Sequence, residues 1–193
     1  MGEVHEVTEL ITPGPAQALA GLFGVPCPAD GEGLPLLWHL VYLLDRPPQE
    51  QDLVYREPGA NGPARSGPSI APAGRDWPVT VDPVLLFRFS ALTYNAHRIH
   101  YDREYARAEG YPGLVVHGPL QALLMAELAR PGLPLRCEYA YRLVAPLYDD
   151  QGLVVSAAAP DGGAVRVSCR DAADRVTATG QITASTDQLA PIS

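Results

Sequence analysis

Between Pro119 and Arg130 the chain reads PLQALLMAELAR, and the only polar members of that stretch are Gln121, Glu127 and Arg130. Pro at the first turn suits a helix, because the N–H it removes has no intrahelical partner there. Three polar residues are too few to build a solvated stripe, so this helix must be covered on most of its circumference. Four strand-like runs follow it: Arg136 to Leu147, Leu153 to Ala159, Ala164 to Arg170 and Arg175 to Ala184. Asp161-Gly162-Gly163 and the stretch from Asp171 to Asp174 supply turns between them. A buried helix followed by an antiparallel meander predicts an α+β fold, a sheet with one long helix against its face.

Upstream the pattern is sparser. Residues 13 to 24, PGPAQALAGLFG, open with Pro and close with Gly, the punctuation of a short helix. Residues 34 to 44, LPLLWHLVYLL, are apolar nearly all round and predict a short buried helix or one that meets a partner surface. Leu53-Val54-Tyr55 is a candidate strand. Glu57 to Pro78 holds five Pro and four Gly in 22 residues, which predicts a linker that forms neither ladder nor helix. Val84 to Phe89 (VLLFRF) is a further strand candidate, and Asp102 to Ala108 predicts one or two helical turns. The expected organisation is an N-terminal arm over 1–56, the linker over 57–78, one domain over 79–185 and a tail over 186–193.

Composition removes several function classes. All 14 cationic residues are Arg. Without Lys there is no Schiff-base chemistry and no Walker-type phosphate loop. A net charge of −8 argues against non-specific nucleic-acid binding. No apolar run reaches the roughly 18 residues of a membrane span, and the acidic opening MGEVHEVTEL does not read as a signal peptide. Cys27, Cys137 and Cys169 are odd in number and widely spaced, which predicts free thiols in a reducing cytoplasm.

Chemistry concentrates in two segments. Ser90 to Asp102, SALTYNAHRIHYD, sets Tyr94, Asn95, His97, Arg98 and His100 in one loop after a predicted strand, where a rigid scaffold can present them. His97 and His100 lie three apart and would share a face of a helical turn. No HExxH pattern accompanies them and the other His are scattered, so the pair reads as a general base with a packing or hydrogen-bonding neighbour, with no metal site. The second segment, YPGLVVHGPL, places His117 and Gly118 just before the buried helix. Backbone N–H groups at a helix start are unpaired and partly positive, and Gly lets a substrate oxygen approach them. An oxyanion hole can be built this way from main chain alone; a Gly before a helix also serves as a plain cap or turn.

The continuous stretch SALTYNAHRIHYDREYARAEGYPGLVVHGPL resembles the MaoC-like hydratases and dehydratases of the hot-dog fold. More narrowly it resembles the branch of mesaconyl-C4-CoA hydratase, itaconyl-CoA hydratase and hydroxyacyl-thioester dehydratase type 2. The looser similarity runs over about residues 79 to 185. The resemblance implies a curved antiparallel sheet wrapped around a central helix, here 119–130. It implies a hydro-lyase that adds water to a 2-enoyl thioester or removes it from a 3-hydroxyacyl thioester, with coenzyme A or an acyl carrier protein as the carrier and no further cofactor.

The broad class carries Asp-x-Asn-Pro-x-His. By position, His100 matches the catalytic His and Gly118 the oxyanion donor, while Asn95, His97 and Arg98 occupy the Asp, Asn and Pro positions. The narrower branch resembles T-[FY]-N-x-H-[RK]-I-H-Y-D, which this chain follows. A carboxamide gives up no proton near neutral pH, so Asn95 is expected to orient water or a hydroxyl. Either His100 handles both protons, or His97 is the second group. Tyr94, His97, Arg98 and His117 are the expected substrate contacts; Arg98, Arg103 and Arg107 are also candidates for phosphate. Longer members of the branch hold two hot-dog units, and this chain has room for one complete unit, so a homodimer is expected. Two alternatives share the fold: a thioesterase, for which Glu127 is the only carboxylate on the helix, and a non-catalytic subunit that binds a thioester or scaffolds a partner.

Overall fold

A computed structural model describes residues 11–29, 31–42, 44, 74–133 and 136–185. The candidate strand at Leu53–Tyr55, most of the expected linker and the tail lie outside the described residues. The chain divides into two units, which are taken in turn.

The first unit is helical. Helix α1 (Pro13–Phe23) ends at Gly24, whose φ of 66° lets its N–H return to Ala20 O. It buries Ala16, Leu19, Ala20 and Phe23. Tyr42 pins its start: the hydroxyl accepts from Ala16 N at 3.1 Å and donates to Thr12 O at 2.6 Å. The helix expected over 34–44 shrinks to a single 3-10 turn, Trp38–Val41, because Leu37 takes a left-handed conformation (φ 67°) and breaks the helical path just before it. Trp38 and Val41 are nonetheless buried.

The strand expected at Val84–Phe89 is instead part of helix α2 (Pro83–Leu92). Asp82 caps it, its Oδ1 accepting from Leu85 N at 2.7 Å, and Pro83 takes the first turn. Leu86, Phe89 and Ser90 are buried, a spacing of three and four that belongs to a helix face rather than to an alternating strand. A 3-10 turn at Arg98–His100 lies within the segment read as a loop, and helix α3 (Arg103–Ala108), capped by Asp102, forms where one or two helical turns are expected.

The second unit is the sheet and its helix. Helix α4 (Gly118–Ala129) buries Leu120 through Ala126 without a break, and Leu123 and Leu124 are wholly covered. It lies against strands β3 (Leu153–Ala158), β4 (Ala164–Arg170) and β5 (Val176–Ala184). Leu153, Val155 and Ala157 alternate inward on β3, and Val165, Val167 and Cys169 do so on β4. Gln121, the polar exception on the covered side of α4, accepts from Thr177 Oγ1 at 2.7 Å, as a buried amide requires.

Among the described residues the sheet has five antiparallel strands, in the order β1 (Gly74–Val79), β3, β4, β5 and β2 (Cys137–Leu143). Only β3 to β5 form a meander. Strand β2 (Cys137–Leu143), expected to lead that meander, joins the far side of β5. Strand β1 (Gly74–Val79) corrects the linker reading, since the last residues of 57–78 do form a ladder. Pro78 is tolerated because, among the described strands, β1 lies at the edge with β3 as its neighbour. Gly162 and Gly163, both at positive φ, make the β3–β4 turn at the expected place.

Candidate active site

The loop after α2 is built by its own polar groups. Thr93 Oγ1 donates to Phe89 O at 2.8 Å and Asn95 N donates to Ser90 O at 2.8 Å, closing the helix while Tyr94 turns left-handed at φ 52°. Asn95 Oδ1 then accepts from His97 N at 2.9 Å, an Asx turn that aims the chain into the 3-10 turn. With Oδ1 engaged, the amide NH2 of Asn95 is the end that remains to donate outward.

His100 is 8% exposed. Its Nδ1 lies 2.7 Å from Val115 O. A carbonyl can only accept, so Nδ1 carries the proton and Nε2 carries the lone pair. Burial, opposed by that hydrogen bond and aided by His97, lowers the pKa of His100 from 6.5 to about 4. The ring is therefore neutral at pH 7, with a free basic nitrogen.

The carbonyl that selects this tautomer is itself held. Val115 N donates to Ile99 O at 3.0 Å, and Val115 pairs with Tyr148 as an isolated bridge. Next to it, Asp149 accepts from Leu114 N at 3.0 Å and forms an ion pair with Arg103. The Asp149 side chain is only 4% exposed.

The structure sorts the expected residues. His97 meets His100 edge to face at 5.6 Å, and His117 stacks on it at 3.7 Å. His117, expected as a substrate contact, is 1% exposed and stands behind His100. Arg98 is committed elsewhere: it pairs with Asp102 at 2.6 Å and lies 4.5 Å over the Tyr105 ring. Arg103 is likewise spent on Asp149. Tyr94 and Asn95 line a cavity of about 250 Å3 with Phe87, Ala96 and Tyr101. Among the described residues no group of three His, Cys, Asp or Glu is placed to hold a metal ion.

Gly118 follows His117 in the chain and opens α4. A Cβ there would stand 2.3 Å from Leu143 Cδ1, so the position has no space for a side chain while Leu143 stays put. Sequence reasoning misses Ser90, Val115 and Asp149. The first stands at the start of the segment read as a loop and belongs to helix α2, the second acts through its main chain, and the third lies far along the sequence from the loop it clamps.

Residues 47–149 match the family model described as hydroxyacyl-thioester dehydratase type 2. Mesaconyl-C(4)-CoA hydratase of Chloroflexus aurantiacus is 58% identical over 106 residues, which cover 52% of this chain and 38% of that protein. The mitochondrial hydroxyacyl-thioester dehydratase type 2 of Schizosaccharomyces pombe is 39% identical over 82 residues, 40% of this chain and 27% of its own. The chain thus spans less than two fifths of the length of these relatives. Among solved structures, HtdX from Mycobacterium tuberculosis superposes with a TM-score of 0.53 at 20% identity, over 64% of this chain and 49% of that one. A MaoC-like dehydratase from Phytophthora capsici gives 0.53 at 15% identity, over 67% and 46%. These two likenesses bear on the fold, which is the hot-dog α+β fold.

Proposed function

The chain belongs to the hydroxyacyl-thioester dehydratase type 2 family, and on that premise we propose that it is a hydro-lyase acting on a 2-enoyl or 3-hydroxyacyl thioester of coenzyme A or an acyl carrier protein. The observation that carries the proposal is the bond from His100 Nδ1 to Val115 O, which leaves Nε2 as a neutral base on a loop beside a cavity. In dehydration His100 Nε2 takes a proton from C2 of the 3-hydroxyacyl thioester. The electron pair moves toward the thioester carbonyl, and negative charge grows on its oxygen. The Gly118 N–H, at the start of α4, is the proposed partner for that oxygen. The C3–O bond then breaks, the carbonyl re-forms, and His100 returns its proton to the departing hydroxyl to make water. Asn95 donates from its amide to the same hydroxyl. Hydration is the reverse.

The thioesterase alternative loses support in Glu127. It sits nine residues after Gly118, about 13 Å along a helix at roughly 1.5 Å per residue, and pairs with Arg130 at 3.1 Å. We further propose a homodimer. Strand β2 is an edge strand that shows Tyr141 and Leu143 to solvent, and edges of this kind invite pairing. Cytoplasmic residence is our reading from three free thiols; no described helix is long and apolar enough to cross a membrane. The test is a spectrophotometric hydration assay with crotonyl-CoA and mesaconyl-CoA beside a thiol-release assay. Loss of the enoyl absorbance without thiol release supports the hydro-lyase. Thiol release alone makes it a thioesterase, and neither signal makes it a binding subunit.

A further inference from the structure

We propose that His117, anchored by Ser90, is a positioning residue for His100: its ring walls off one face of the His100 imidazole, fixes that imidazole's plane and keeps water from it. The inference rests on His100 being the base of the proposed reaction. Three observations carry it. The two imidazoles stack with centroids 3.7 Å apart and planes 18° apart. His117 is held from behind, its Nε2 2.8 Å from Ser90 Oγ and its ring against the edge of Phe89 at 4.9 Å. Both Ser90 and His117 are buried.

The burial bears on the other nitrogen. His117 Nδ1 is buried and has no hydrogen-bond partner. A buried N–H without an acceptor is rarer than a buried lone pair without a donor. The proton of neutral His117 therefore sits on Nε2 and is donated to Ser90 Oγ, and Nδ1 carries the lone pair. A second proton would have to go to Nδ1, where it would form a buried cation with nothing to accept from it. His117 is consequently a wall that does not compete for the proton that His100 takes up. The titratable groups facing His100 are this ring and His97; the guanidinium of Arg98 is turned to Asp102. Burial lowers the pKa of His117 even further than that of His100, in line with this role.

The experiment uses the full chain with 15N-labelled histidine, titrated by NMR without substrate and then assayed for kcat and KM against pH. In the wild type the His100 signals show Nδ1–H and a titration midpoint well below 6.5. His117→Ala opens the face to water and should raise that midpoint by at least about one unit toward the ordinary value, with the acidic limb of kcat/KM moving the same way. His117→Phe keeps the wall and should leave the midpoint within about half a unit. Ser90→Ala frees the wall to tilt and should lower kcat about tenfold with little change in KM. An unmoved midpoint in His117→Ala would overturn the proposal. Should that variant not fold, a Phe variant with the ordinary histidine midpoint, or Ser90→Ala with wild-type kcat, would overturn it equally. The NMR arm needs no turnover, so a chain with these midpoints that hydrates no thioester refutes the reaction and leaves the packing role standing.

Discussion

The buried neutral histidines make stability depend on pH well above the range in which Asp76, Asp102 and Asp171 titrate. His100 has a folded-state pKa of about 4 against 6.5 in the unfolded chain. Between those values the unfolded state binds a proton that the folded state does not, so stability is lost as pH falls through 6.5 and continues to fall until about 4. Moving from pH 7.5 to 5 should remove about 2 kcal/mol through His100 alone, by linkage at about 1.36 kcal/mol per unit of pH well below the unfolded pKa. His117, shifted the same way, removes a similar amount, for a total of about 4 kcal/mol. Asp76, Asp102 and Asp171 have pKa values lowered from 3.8, so the stability they add fades only at more acidic pH. The measurement is urea unfolding at pH 7.5, 6.5, 5.5 and 5.0 for the wild type and His100→Gln. The wild type should lose about twice as much stability as the variant over that range. Equal losses would refute the claim that His100 is buried in its neutral form.

Removing the base itself should lower turnover by at least about 100-fold, the lower bound for a general acid–base group, while circular dichroism of His100→Ala stays native. Asn95→Asp separates two roles: if the amide only orients the hydroxyl, activity is unchanged or lower, and a rise would show that a missing acid limits the rate. Asp149→Ala should cost about 1–2 kcal/mol in unfolding free energy, because it leaves the buried Leu114 N–H without its acceptor, while Arg103, 40% exposed, turns to water. Gly118→Ala should depress the melting temperature, and Leu143→Ala in the same chain should restore part of it, since Leu143 Cδ1 occupies the space of the new methyl.

What could be read in the sequence follows the range over which each signal acts. The α4 helix was legible because an apolar circumference has one physical remedy, and the α1 helix because Pro and Gly punctuate it locally. Strands β3, β4 and β5 were legible from alternation and turn residues. The VLLFRF stretch misled because six apolar-rich residues fit either period; the deciding signal was Asp82-Pro83 in front of them, a cap and a first-turn Pro. Strand β1 was hidden because Pro and Gly exclude a central strand but not an edge strand, and edge position is a property of the whole sheet.

The site divides along the same line. His100 and Asn95, the groups of the proposed reaction, stand in a short motif. What gives His100 its basic nitrogen is Val115 O, a main-chain atom with no sequence signature, held in turn through Tyr148 and Asp149 more than thirty residues downstream. His97, Arg98 and His117 all looked equally fit to touch a substrate, since residue type and spacing do not report what a side chain already holds. Asp102 occupies Arg98, and Ser90 occupies His117. A polar side chain committed to a neighbour within the fold must break that bond before it can bind anything else, at a cost of roughly 1 kcal/mol or more. That cost makes Arg98 and His117 poorer partners for the substrate of the proposed reaction than the Nε2 of His100, the amide of Asn95 or Tyr94, which lines the cavity.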